Sequence, residues 1–238
     1  MTAKICFFDI ESSNLNANFG FMLSFGWKFQ GEKTAKVISI ADYPLYDRDP
    51  TNDKELVKAA AEIISQADII VGHFACYFDV PFINTRLLYH KLKPLPEVPL
   101  VDTWRIARKK LKLNSNRLDA ISKFLEVKYE KTPVAGGHWV KAMAGNKKSL
   151  KYIIQHNKYD VLVLEEVYNR IRILWPSHPN VNIVTGKKDA CPTCGVEGKL
   201  HSRGQTISKV TVTPRYQCQA CGSWSKGIPK RVKGLEVR

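Results

Sequence analysis

The stretch Ile5-Cys6-Phe7-Phe8-Asp9-Ile10-Glu11 constrains this chain more than any other. It is an apolar run of strand length near the N-terminus, interrupted by two acids. Side chains alternate across a strand, so Asp9 and Glu11 fall on one face, about 6–7 Å apart. Adjacent carboxylates repel, and burying them unpaired is costly. A divalent cation relieves that repulsion, and hard oxygen ligands suit Mg²⁺ or Mn²⁺. The alternative is a strand end carrying two solvated acids, and the pair alone does not choose between the two. The choice depends on whether further carboxylates reach the same place.

Elements alternate along the rest of the chain. Residues 20–30 and 36–40, rich in Phe, Trp, Ile and Val, predict two more strands joined by a turn at Gly31-Glu32-Lys33. A Pro/Asp-rich loop then ends at Asn52 or Asp53, either of which can cap a helix running to about Gln66. Leu56, Ala60, Ile63 and Ile64 take helical spacing within it. Asp68-Ile69-Ile70-Val71-Gly72 predicts a short central strand covered on both faces. A helix follows from about Val80 to His90, with Pro81 in its first turn. Leu100-Val101-Asp102 predicts another short strand, and helices are expected over residues 104–111 and 117–124. Ala135-Gly136-Gly137-His138 and Ala144-Gly145-Asn146 carry loop signals. A long helix should open at Ser149, kink near Asn157 and stop at Pro176-Ser177-His178-Pro179.

Charge limits the partners. The 238 residues contain 37 Lys and Arg against 22 Asp and Glu, a net charge of +15. That exceeds what solubility needs and points to a polyanion, with nucleic acid as the default. No apolar run approaches the roughly 18 residues that span a bilayer, and no basic amphipathic segment suggests a membrane surface. The first residues lead into a strand without a signal-peptide pattern, so a cytoplasmic protein is expected.

Four of the six cysteines form two C-x-x-C-G knuckles, Cys191-Pro192-Thr193-Cys194-Gly195 and Cys218-Gln219-Ala220-Cys221-Gly222. Four thiolates so spaced close a tetrahedral structural site, so Cys191, Cys194, Cys218 and Cys221 are expected to hold one Zn²⁺. The rival, a redox pair, needs a thioredoxin-like βαβ context that this sequence lacks. The residues between the knuckles include a β-like stretch from Thr206 to Tyr216. From Lys187 onward, 11 basic residues face three acidic ones. With Trp224 offering a stacking surface, the ribbon reads as a nucleic-acid grip, and protein docking is the alternative. Cys6 and Cys76 read as apolar fillers. The expected organisation is a domain over residues 1–176, a linker over 177–187, and a ribbon with a basic tail over 188–238.

A meander followed by alternating helices and buried strands resembles the ribonuclease H-like fold. In particular it resembles the DEDD exonuclease superfamily, which includes the proofreading domains of DNA polymerases. Phe7-Phe8-Asp9-Ile10-Glu11-Ser12 is similar to its first motif, and residues 71–82 are similar to the second, with Asp79 as the acid. Tyr152 to Val161 is similar to the third, with Asp160 as the acid. Asp102-Thr103-Trp104 and Asn116-Arg117-Leu118-Asp119 also match the intervening region of polymerase-type members. The resemblance covers about residues 4–175. It implies an α/β fold with a mixed sheet flanked by helices, and a 3′–5′ exonuclease. Asp9, Glu11, Asp79 and Asp160 would hold two Mg²⁺ or Mn²⁺, which in-line hydrolysis of a phosphodiester can use.

One branch of that family places a histidine five residues before the last acid, and the other a tyrosine four before. Here Gln155 takes the first position and His156 the second. Spacing i, i+4 puts His156 and Asp160 on one helix face, so His156 is the candidate general base, and a surface histidine is the bland rival. Tyr159 points about 100° away from Asp160, and Tyr152 is a weaker substitute. Asp79 has a rival reading as a helix N-cap. Phe74 stands where many relatives have Asn. Ser12 and Phe19 lie near the acids, where a terminal nucleotide would sit, and Arg105 and Lys109 belong to a strongly basic helix. The expected activity is 3′–5′ hydrolysis of single-stranded ends, DNA favoured over RNA. A non-catalytic nucleic-acid-binding protein and a structure-selective endonuclease are the alternatives.

Overall fold

A computed structural model describes residues 2–128 and 136–232. The chain divides into two compact units, one over residues 4–170 and one from residue 171 onward.

The first unit is built on a five-stranded mixed sheet in the order β3-β2-β1-β4-β5. Its strands are β1 (Ile5–Ser12), β2 (Met22–Phe29), β3 (Lys36–Ser39), β4 (Ile69–Gly72) and β5 (Leu100–Asp102). The first three form the antiparallel meander that their β-branched and aromatic residues predict, and β4 and β5 run parallel to β1. All four residues of β4 are buried, as a strand covered on both faces requires. The acidic strand β1 thus lies at the centre, between β2 and β4.

Helix α1 (Lys54–Ile64) buries Leu56, Val57, Ala60 and Ile64. Of the two candidate caps, Asn52 takes the role. Asn52 accepts the Lys54 N–H, whereas Asp53 makes no side-chain cap bond. The Asp53 carboxylate is fully buried and takes two nitrogens of Arg86, His90 Nε2 and the Met22 N–H. An anion without solvent needs such partners more than a helix end needs a cap.

Helix α2 (Asp79–Tyr89) begins with Asp79 as a helical residue, so the N-cap reading of that acid fails: the cap position belongs to Phe78. Helices α3 (Thr103–Lys110) and α4 (Leu118–Phe124) fall where expected. The expected loop at residues 135–138 is a helix instead, α5 (Gly136–Met143), with Ala135 outside the described residues. Its Ala142 is buried and Trp139 packs on the core, and that burial outweighs the poor helix propensity of two glycines in the first turn. Gly145 does turn the chain, at φ +85°. Helix α6 (Lys147–Ile171) starts two residues earlier than expected and runs unbroken through Asn157.

In the second unit, residues 177–187, read as a linker, contain the short helix α7 (Val181–Thr185). Val181 is buried and donates its N–H to Pro192 O. The single stretch expected from Thr206 to Tyr216 is a hairpin, β6 (Leu200–Ile207) and β7 (Thr211–Cys218), with Ser208 making the turn bonds that divide it. Strands β8 (Trp224–Lys226) and β9 (Lys230–Arg231) both pair with β7.

Candidate active site and metal centres

The central strand and the long helix build the first site. Alternation along β1 turns Asp9 and Glu11 to one face. Helix α6 crosses that face and brings up His156 and Asp160, one turn apart. Among the described residues, Glu11, His156 and Asp160 form one of two groups of three or more metal-ligating side chains. Their ligand atoms all lie within 4.8 Å of one another. His156 Nε2 stands 3.8 Å from Glu11 Oε1 and 3.6 Å from Asp160 Oδ2. Trp139 of α5 meets the His156 ring edge-on, with centroids 5.9 Å apart.

Asp9 is held differently. The Asn157 amide donates to Asp9 Oδ2 at 2.7 Å and to the Asp9 carbonyl at 3.1 Å. Asn157 is thus a positioning residue of the site, where the sequence suggested only a kink. Strand β2 leaves room for it: Gly26 pairs with Asp9, and a Cβ on Gly26 would lie 2.8 Å from Asn157 Oδ1. An asparagine inside a long helix, opposite a glycine in a strand, is the signal that was available.

Asp79 enters from the start of α2, where its Oδ1 accepts the Ile10 N–H at 3.0 Å, between the two acids of β1. Burial pushes its carboxyl up to about 7 and the Asp102 charge adds to the rise, against the opposing bond from Ile10. The group of ligand atoms within 4.8 Å contains neither Asp79 nor Asp9; Asp79 adjoins it through the Ile10 backbone between the two acids of β1. A cleft of about 490 Å³ opens on this face, lined by Asp9 and Asp160 together with His73, Phe74, Trp104 and Arg117.

The tentative substrate contacts separate. Ser12 donates to Asn14 O in the loop after β1, and Phe19 in the same loop is 78% exposed. Arg105 and Lys109 lie on α3, Lys109 on its exposed side. Trp224 belongs to the second unit and has the Arg215 guanidinium over its ring at 5.4 Å.

Asp102 was missed as more than part of a motif. Its carboxylate caps α3 through Trp104 N–H and Arg105 N–H, and also accepts from Phe74 N–H and Cys76 N–H. Burial and this neighbouring acid hold the Cys76 thiol up at about 12, and burial above all raises Cys6 to about 12, so both behave as inert fillers.

Cys191, Cys194, Cys218 and Cys221 form the second group. Sγ–Sγ separations are 3.8 Å for Cys191–Cys221 and for Cys194–Cys218. A tetrahedron with Zn–S bonds of about 2.3 Å has edges of about 3.8 Å, so the thiols fit Zn²⁺. The hydrogen bond between Cys194 and Cys191 lowers the Cys191 thiol and raises the Cys194 thiol, as expected where one proton is shared within a cluster of thiols.

The fold agrees with what sequence comparison shows. The RNase_H superfamily model RNase_H_2 matches residues 6–172, and the chain belongs to that superfamily. It is 32% identical over 144 residues to a DNA polymerase III PolC-type protein of Ureaplasma parvum serovar 3, a match covering 53% of this chain and 10% of that one. Among solved structures, the family B DNA polymerase of the hyperthermophilic archaeon Pyrobaculum calidifontis shares the fold. That match has a TM-score of 0.58 at 13% identity and covers 88% of this chain and 32% of the polymerase. The chain therefore spans a minor part of the length of both relatives. Among the described residues, no helix is long and apolar enough to cross a membrane.

Proposed function

We propose that this protein hydrolyses phosphodiester bonds of single-stranded nucleic acid from the 3′ end, DNA favoured over RNA, with the help of two Mg²⁺ or Mn²⁺ ions. One observation carries the reading. Glu11, His156 and Asp160 converge within 4.8 Å beside a cleft that Asp9 and Asp160 line. A protein that only bound a polyanion would gain nothing from carboxylates gathered there. The polarity and the preference for DNA follow the family resemblance.

Asp9, Glu11, Asp79 and Asp160 are the residues that would hold the two cations. When bound, such ions ease the deprotonation of water and offset charge on the leaving oxygen. The remaining work falls to the chain. His156 Nε2, 3.8 Å from Glu11 Oε1 and 3.6 Å from Asp160 Oδ2, accepts the proton of the attacking water. Asn157 fixes the orientation of Asp9, and Trp139 covers one side of the imidazole. Arg105, Lys109 and Arg117 meet the phosphates, and Ser12 and Phe19 meet the terminal nucleotide. The four-cysteine ribbon binds one structural Zn²⁺ and adds a basic surface, with Trp224 for stacking.

The test uses linear strands labelled at either end and circular single strands, DNA and RNA, with Mg²⁺ or Mn²⁺. Mononucleotides should leave from the 3′ end while circles persist; a cut circle would convert the reading to an endonuclease. Asp9→Ala and Asp160→Asn should abolish hydrolysis and leave strand binding largely intact. For His156→Ala, the rate at neutral pH should fall by about 10²- to 10⁴-fold. Equal activity in the acid variants overturns the assignment.

A further inference from the structure

Three aromatic rings stand together at the mouth of the acidic cleft. Trp104 meets Phe74 edge-on at 5.0 Å and 73° and Tyr77 edge-on at 5.7 Å and 82°, while Phe74 and Tyr77 lie 5.1 Å apart and tilted by 36°. They are not core. Phe74 is 40% exposed and Tyr77 59%. Phe74 and Trp104 line the same cleft as Asp9 and Asp160, and Tyr77 lines a smaller hollow beside it, with Leu15 and Phe78.

The backbone beneath them is held against its preference. Phe74 has φ +63°, a conformation that glycine or asparagine adopts with ease and a bulky aromatic does not. The turn before it is tight: a Cβ on Gly72 would lie 2.3 Å from Ala75 Cβ. One carboxylate fixes the arrangement. Asp102 accepts the Phe74 N–H and the Cys76 N–H, each at 3.0 Å, and the Trp104 N–H at 2.9 Å, so it sets the backbones of two of the three rings. Strain that surrounding structure enforces, spent on showing a ring to solvent at a reactive cleft, marks a functional surface.

We infer that Phe74, with Tyr77 tilted beside it and Trp104 braced edge-on against both, offers a stacking platform for one unpaired nucleobase of the strand whose backbone enters the acidic cleft. This rests on the proposed reading of the cleft as a nucleic-acid site and adds a base contact on the cleft wall to those assigned to Phe19 and Trp224. An aromatic face accepts any base, so the platform grips without reading sequence. Bases stacked within a duplex have both faces occupied, so the platform also selects unpaired strands. Exposed Arg117 on the cleft wall supplies a charge for the adjoining phosphate.

The experiment measures binding of a fluorescent oligothymidylate to the full chain in Ca²⁺, with an abasic nucleotide moved along the strand. Wild-type protein should lose about tenfold in affinity when the abasic site reaches one position, or two adjacent ones. Phe74→Asn should lose the same amount on the intact strand and little more on that abasic strand. Because asparagine tolerates the positive φ, its melting temperature should hold or rise, whereas a ring needed only for packing would lower it. Affinity that ignores the abasic position, or a Phe74→Asn loss equal on both strands, overturns the platform. Strands that are hydrolysed in Mg²⁺ yet bound without base dependence sink the platform and spare the cleft reading. No binding and no hydrolysis sinks both.

Discussion

Asp79 is the acid whose surroundings say most at the scale of single residues. In the unfolded chain it titrates near 3.8, and in the fold at about 7. The folded state therefore holds the proton more tightly. Its contribution to stability is complete below about pH 4 and is lost as pH rises through 7. In a chelator, the melting temperature should fall between pH 4 and 7, and Asp79→Asn should flatten that part of the profile. Added Mg²⁺ should raise the melting temperature more at pH 8 than at pH 5, because its ligands must be deprotonated. Parallel profiles for both proteins would remove Asp79 from the linkage. That Asp9 and Glu11 share a face was legible from strand alternation, whereas Asp79 and Asp160 were joined to them only by the motif resemblance. The raised pKa was not legible, because burial belongs to no single segment.

Between elements, the decisive contact is α6 against β1 and β2. Gly26 pairs with Asp9 and gives Asn157 space to reach that acid. Gly26→Ala places a methyl group 2.8 Å from Asn157 Oδ1 and something must shift. Overpacking of this kind costs about 1–3 kcal/mol. Hydrolysis should fall with it, and adding Asn157→Ala should cost less than the sum of the two changes, since the clash is already relieved. Strict additivity in melts and single-turnover rates would uncouple the pair. Sequence reading placed α1 and α6 from apolar spacing and α2 from Pro81 in its first turn, but it made a loop of α5. Two glycines outweigh one Trp in a local reading; in the fold, Trp139 lies against the core and His156.

On the scale of the whole molecule, charge and thiols distinguish the two units. The second carries most of the positive excess and the four thiols, without a core large enough to fold by burial alone. Stripping its metal with a strong chelator should release one Zn²⁺ per chain and unfold the ribbon. Deleting residues 187–238 should weaken binding to a single strand and reduce the slope of log affinity against log salt, since fewer phosphates are neutralised. Unchanged affinity and slope would give the ribbon a protein-docking role.

The sequence by itself determined what neighbours along a chain can encode. These are the 2.0- and 3.6-residue periods of strands and helices, the two acids on one face of β1, His156 one turn before Asp160, and the thiol spacing of a tetrahedral site. Tertiary structure alone decided which groups meet. Asn157 reaches Asp9 across 148 residues and Asp53 turns from helix cap to partner of Arg86. Phe74 is fixed by an acid 28 positions away. Such contacts depend on sheet order and on what burial does to a charge, and neither is a property of any local stretch.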